Sequence, residues 1–204
     1  MTTYGVLIFD GAEELDFVGP WEVLTASAMI RSGPDGPIDS VVTIAQNGGT
    51  VRANKGMRVL ADHSFDDHPQ LDVVLVPGGS GTRTEVDNEV LMEWLRQVGP
   101  GCEWVTSVCT GSLLLHESGL AKGRRLCTHW GFEDAMEARG DCTVVRDERF
   151  VADGNVVSSQ GVSAGIDMAL WLVGQIESPE HARQVQRFIQ YEPQPPYEDV
   201  PYPA

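Results

Sequence analysis

The chain has 204 residues, 42% of them hydrophobic, with 30 acidic against 14 basic side chains and a net charge of −16 at pH 7. That length suits one α/β domain, 1–204, with a well-buried core, and is short for two ordinary domains. The charge repels nucleic acid and anionic membranes and so argues against both as partners.

Short apolar runs alternate with amphipathic ones from end to end, the pattern of a mostly parallel sheet covered on both faces. Tyr4 to Phe9 reads as a buried strand, followed by "DGAEELDFVGP" (10–20) and a helix over Trp21–Arg31 opened by Pro20. Ser40–Ala45 and Leu71–Val76 read as further strands, the second leading into "PGGSG" (77–81). Val86–Val98 is predicted as a helix closed by Gly99-Pro100, and Trp104–Val108 as a strand that stops at Cys109. A short helix over Ser112–Ser118 is stopped by Gly119. Asp153-Gly154 within Val144–Ser159 signals a hairpin, and two helices follow, Ser163–Ile176 and Pro179–Gln190. The tail, 191–204, is too rich in proline for helix or central strand and is expected to lie extended over the body.

No stretch approaches the roughly 20 apolar residues of a membrane span, and "MTTYGVLIFDG" lacks the features of a secretory leader, so a cytoplasmic location is expected. Cys102, Cys109, Cys127 and Cys142 have no metal-ligand spacing and suggest free thiols, with no metal site. Lys55 and Lys122 are the only lysines. This acidic, lysine-poor balance fits a halophile's solvated surface or a GC-rich genome equally well.

Ligands of open α/β sheets bind outside the carboxyl ends of the strands, near a topological switch point. Three ends stand out: the acidic loop after the first strand, Pro77-Gly78-Gly79, and Cys109. A cysteine at a sharp strand-to-helix turn is presented above the sheet, next to free helix N–H groups that would favour its thiolate. Thr110 N–H is then the first candidate oxyanion donor, and Gly78-Gly79 can supply a second from its backbone. Each feature alone also has a plain reading, as core packing for the cysteine and as a turn for the glycines. Their combination points to a nucleophile.

At this point the chain resembles the DJ-1/PfpI (ThiJ) superfamily, over residues 4–197. "GAEELD", "VPGGSG", "SVCTGSLLL", "THW", "GVSAGID" and "YEPQPP" carry the resemblance. It implies a flavodoxin-like, class I glutamine amidotransferase-like sandwich with a mostly parallel sheet. Within the superfamily the chain is most similar to isocyanide hydratases and to the amidotransferase-like halves of AraC-type regulators. Glyoxalase-like members place a glutamate where this sequence has Asp16, which favours the hydratase branch. The regulators continue into a helix-turn-helix region of roughly a hundred residues, for which 204 residues are expected to leave no room.

The resemblance implies Cys109 as nucleophile, Asp16 as proton donor and acceptor, Thr110 beside the thiol, Gly78 and Gly79 around the substrate, and His129 as an accessory group or a structural one. Asp16 could instead cap a helix near Gly19-Pro20, and Glu13 and Glu14 read as exposed loop carboxylates. The expected function is hydration of isocyanides to N-substituted formamides, on a small-molecule substrate, without cofactor, in a homodimer. Glyoxalase or deglycase activity on reactive carbonyls is the alternative within the fold. A cysteine redox sensor or binding module is the alternative outside catalysis.

Overall fold

A computed structural model of the protein describes residues 1–32 and 39–195. Six strands form one sheet: β1 (Thr3–Leu7), β2 (Ser40–Ile44), β5 (Val73–Val76), β6 (Trp104–Val108), β9 (Phe150–Asp153) and β10 (Val156–Ser159). Their order is β2-β1-β5-β6-β10-β9, and every neighbouring pair is parallel except β10 with β9. The chain moves outward from β1 to β2, then returns to the other side of β1 for β5. That reversal puts the switch point between β1 and β5, beside β6. Two small ribbons lie outside this sheet, the hairpin β3 (Thr50–Arg52) with β4 (Arg58–Leu60), and β7 (Arg125–Leu126) with β8 (Thr143–Val144).

The central strands are buried almost throughout, Trp104 at the start of β6 being only partly covered, because helices cover both faces. On one face α1 (Glu14–Arg31), α6 (Ala164–Ile176) and α7 (Pro179–Phe188) close over Tyr4 and Val73, with Val23, Leu24, Leu172, Val173 and Val185 filling the layer. The larger core lies on the other face. There α3 (Glu89–Val98) and α4 (Gly111–Glu117) lay Leu91, Leu95, Leu113 and Leu114 against Val6, Val74 and Val105. The result is the mostly parallel sheet covered on both faces that the alternation of patterns predicts, in the flavodoxin-like form that the resemblance implies.

Two helix boundaries differ from the sequence reading. The first helix starts at Glu14, seven residues before Trp21, and Pro20 lies inside it. A proline there leaves one carbonyl without its helical donor, and tertiary packing holds the segment helical anyway. Pro20 and Gly19 lie where α1 meets α6: a Cβ on Gly165 would come within 3.2 Å of the Pro20 ring, and one on Gly19 within 2.9 Å of Ile166. The helix read as Val86–Val98 starts at Glu89, as α3, and a separate short helix that the reading lacked, α2 (Thr82–Glu85), precedes it. Asn88 separates them by turning extended and capping α3, its side chain accepting from Leu91 N–H at 3.4 Å. The Asp153-Gly154 hairpin forms as read, with β9 and β10 on either side. The proline-rich tail is described through residue 195 and carries no regular structure there, and its Tyr197, Val200 and Tyr202 lie outside the described residues. Among the described residues, no helix is long and apolar enough to cross a membrane.

Candidate active site

The carboxyl ends of β1, β5 and β6 lie side by side, and the three segments that leave them converge. After β6 the chain turns at Cys109 with φ of 56°, a left-handed conformation that costs a non-glycine residue about 1–2 kcal/mol. The turn is fastened at every polar atom of its backbone. Cys109 N–H donates to Ser159 O at 3.0 Å, and Cys109 O accepts from Ser112 Oγ at 3.1 Å and Thr128 Oγ1 at 3.0 Å. The side chain is thereby held at the head of α4, only 6% exposed.

The glycines of "PGGSG" allow the neighbouring loops to touch backbone to backbone. A Cβ on Gly78 would lie 2.5 Å from Thr110 N and 2.8 Å from Cys109 Cβ, and one on Gly79 would lie 2.3 Å from Gly11 O and 2.4 Å from Glu13 N. Glu13 N–H donates to Gly78 O at 2.9 Å across this contact. That approach carries the first turn of α1 beneath the β5 loop. Asp16, the third residue of the helix, points inward with no exposure, and its Oδ2 accepts from Gly78 N–H at 2.9 Å. Asp16 is therefore not a helix cap. Its other oxygen, Oδ1, is buried and completes no hydrogen bond, and the Cys109 thiol is near enough to interact with the carboxyl.

Burial pushes the Asp16 carboxyl up to about 7, against the opposite pull of Gly78 N–H and the Cys109 thiol. Burial and then the Asp16 charge push the Cys109 thiol up to about 12. Thr110 N–H, the Thr110 hydroxyl and Val162 N–H act on the sulfur in the other direction, favouring thiolate. The expectation of a thiol acidified by the helix end is thus corrected. A seven-residue helix and three donors do not outweigh a buried site next to a carboxylate. Near neutrality the proton in play belongs to the pair, and the carboxyl is where it is first released.

The glycine amides also differ from their expected role. Gly78 N–H is committed to Asp16, and Gly79 N–H donates to Thr110 Oγ1 at 3.1 Å, so neither is left as a free oxyanion donor. Thr110 N–H and Val162 N–H are the backbone donors at the sulfur. Val162 was not legible in the sequence, because it lies 53 positions beyond Cys109, in the connection that leaves β10, the strand paired with β6, with φ of 39°. Arg83 was missed because its contact with Thr110, 27 positions away, exists only in the folded chain. Its Nη1 donates to Gly79 O at 3.0 Å, Thr82 Oγ1 at 2.9 Å and Thr110 Oγ1 at 3.1 Å.

A cleft of ≈ 980 Å3 lined by His129, Trp130, Asp147, Arg149, Gln160, Gly161 and Val162 shares Val162 with the surroundings of the sulfur. Trp130 is 76% exposed at its rim. His129 Nδ1 accepts from Gly131 N–H at 3.2 Å, which leaves the ring proton on Nε2. Burial and then the Arg83 charge lower its basicity, so it is a neutral imidazole at pH 7. Among the described residues no hydrogen bond links His129 to Cys109 or Asp16. Glu13, read as an exposed loop acid, is buried at the N-terminus of α1 and is paired with Lys55, while Asn54 donates to it at 3.0 Å. No group of three His, Cys, Asp or Glu side chains converges as a metal-ligand set among the described residues.

Comparison with known proteins gives the following. The profile described as the DJ-1/PfpI family matches residues 4–175. An isonitrile hydratase of Pseudomonas putida is 34% identical over 194 residues, 95% of this chain and 80% of that protein. The Parkinson disease protein 7 homolog of Danio rerio is 30% identical over 186 residues, covering 88% of this chain and 92% of its own. Among solved structures, a ThiJ/PfpI family protein from Pseudomonas syringae superposes with a TM-score of 0.86 at 28% identity, over 98% of this chain and 79% of that one.

Proposed function

The chain belongs to the DJ-1/PfpI family, and from that membership we propose that it is a cysteine-dependent isocyanide (isonitrile) hydratase, a hydro-lyase that converts R–N≡C and water to R–NH–CHO. One observation carries the reading: a buried aspartic acid whose carboxyl titrates near neutrality lies beside the elbow thiol, in a chain 34% identical to an isonitrile hydratase along nearly its whole length.

The terminal carbon of an isocyanide must gain both a nucleophile and a proton, so a thiol that gives up its proton only as it attacks suits it. Cys109 Sγ forms the bond to that carbon while its proton passes by way of the Asp16 carboxyl to the same carbon, giving a neutral thioimidate, R–N=CH–S–Cys109. Asp16, as a carboxylate, takes a proton from water as the water oxygen adds to the carbon and passes it to the imine nitrogen. The C–S bond of this tetrahedral adduct then breaks. The hydroxyl proton is released, the formamide leaves, and the sulfur recovers its proton through Asp16. Thr110 N–H and Val162 N–H stabilise the sulfur while it carries negative charge. The reaction as written uses no metal or organic cofactor.

The cleft walled by His129, Trp130 and Val162 takes the R group. We place the enzyme in the cytoplasm as a homodimer. Trp21 of α1 and Met57 and Leu60 of the β3–β4 hairpin, all exposed, form an apolar strip with Val18 and Val59 that supports such pairing.

The test is incubation of the protein with cyclohexyl isocyanide and phenyl isocyanide, with the formamide detected directly, alongside methylglyoxal with detection of lactate. Formamide made by the wild type and not by Cys109→Ala is the expected result. Lactate without formamide would transfer the site to carbonyl chemistry, and neither product would remove the hydratase reading.

A further inference from the structure

Arg31, Arg96, Arg124, Arg139, Arg146 and Arg149 are each paired with an Asp or Glu, whereas among the described residues no acid lies within ion-pair distance of Arg83. Its partners are neutral oxygens instead. Nη1 donates to Gly79 O at 3.0 Å, Thr82 Oγ1 at 2.9 Å and Thr110 Oγ1 at 3.1 Å. Nε and Nη2 take no hydrogen bond among the described residues, so one edge of the planar group keeps two parallel N–H donors. The Phe132 ring lies against its face, 4.7 Å from the ring centre. Glu133, the next residue, is engaged by Arg146 at 3.0 Å. This unanswered charge stands at the elbow: Thr110 Oγ1, which Arg83 holds, and Cys109 Cβ both lie 2.8 Å from one point, the place a Cβ on Gly78 would take. Phe132 N–H donates to His129 O at 2.8 Å, so the ring against the guanidinium belongs to the turn that brings His129 to the wall of the cleft. Arg83 therefore spans from the elbow to that wall.

We propose that Arg83 is a specificity-determining residue that receives a carboxylate carried by the molecule Cys109 attacks, so that the site prefers anionic substrates to neutral ones of the same shape. A chain of net charge −16 repels such molecules at a distance, so a preference for them has to come from a local cation. A guanidinium already fixed by three acceptors and a ring loses little freedom on binding, and its remaining edge matches the two oxygens of a carboxylate. The inference deepens the hydratase reading and rests on it for the substrate class: an isocyanide whose R group bears a carboxylate a few bonds from the reacting carbon.

The test compares two reagents that differ in charge alone. With iodoacetate and with iodoacetamide the Cys109 sulfur displaces iodide from the same CH2 carbon and gives up its proton to the buffer, but only the first carries a carboxylate. Both rates at Cys109 are followed by peptide mass spectrometry at one pH in the wild type, Arg83→Gln and Arg83→Lys, with far-UV circular dichroism on each. Arg83→Gln is expected to slow iodoacetate about 5–20-fold and iodoacetamide less than about 2-fold. Arg83→Lys keeps the charge without the fork and is expected to lower the iodoacetate-to-iodoacetamide ratio about 2–5-fold; should Arg83→Gln fail to fold, a wild-type ratio in Arg83→Lys would overturn the proposal. An unchanged iodoacetate rate in Arg83→Gln would overturn it, and so would equal slowing of both reagents, which would mean that Arg83 only holds the elbow in place. The substrate arm compares isocyanoacetate with its methyl ester. A higher kcat/KM for the acid, lost in Arg83→Gln mainly through KM, is expected, and wild-type turnover of the ester alone would overturn the proposal. Should the wild type hydrate no isocyanide at all, the hydratase reading fails while the alkylation pair still decides whether Arg83 receives an anion.

Discussion

The Asp16 carboxyl and the Cys109 thiol, 93 positions apart in sequence, meet in a buried space where the Asp16 charge makes ionisation of the thiol harder, while the thiol, as a donor, eases ionisation of the carboxyl that burial opposes. Removing the carboxylate therefore has two opposite consequences. In Asp16→Asn the thiol loses its negative neighbour, so Cys109 alkylation is expected to have a lower apparent midpoint than in the wild type. Turnover of isocyanide is expected to fall by roughly 10²–10⁴, because the amide cannot carry the proton. Faster alkylation with slower turnover is the signature. Near-wild-type kcat would show that Asp16 takes no part in proton transfer.

The same carboxyl makes stability depend on pH with a definite sign. Between about pH 4, where an unfolded aspartate loses its proton, and about 7, where folded Asp16 does, the folded state holds a proton that the unfolded state has released. Folding then takes up a proton, so the contribution of Asp16 is greatest below that window, declines as pH rises through it and is flat above. Relative to Asp16→Asn, the wild type should lose up to about 4 kcal/mol of stability across the window. Urea unfolding of both proteins at several pH values measures this, and parallel curves would contradict it.

Gly78→Ala tests the contact between the loops. Its Cβ would fall 2.5 Å from Thr110 N and 2.8 Å from Cys109 Cβ, both fixed parts of the elbow, so the β5 loop or the elbow must move. A loss of about 1–3 kcal/mol in stability is expected, with a larger proportional loss of kcat than of substrate binding. An alanine variant with unchanged kcat would mean that the elbow tolerates displacement.

A mass of about twice 22.2 kDa by light scattering at micromolar concentration is expected for the homodimer. Leu60→Glu, placed on a side chain that is 70% exposed, should dissociate it with little effect on folding. The single-chain mass for the wild type in both low and molar salt would remove the dimer. Pairing only in molar salt would mean that screening is needed to overcome the repulsion between two chains of net charge −16 each.

The sequence by itself determined the alternating architecture, because buried strands such as Val73–Val76 must be apolar throughout and β9–β10 needs a turn such as Asp153-Gly154. It also singled out Gly78, Gly79, Thr110 and Cys109, since a glycine pair and a cysteine at strand ends are local signals on contiguous segments, while the choice of Asp16 among the acids of the first loop came from the family resemblance. The tertiary structure alone decided how these residues are connected. Gly79 N–H is turned onto Thr110, Val162 N–H arrives from the connection after the neighbouring strand β10, and Arg83 reaches Thr110 from the segment after β5, all contacts between segments distant in sequence. The thiol's protonation was likewise beyond the sequence. Helix-end electrostatics can be read from a strand-turn-helix pattern, whereas the desolvation that outweighs them depends on how completely the neighbouring elements close over the sulfur.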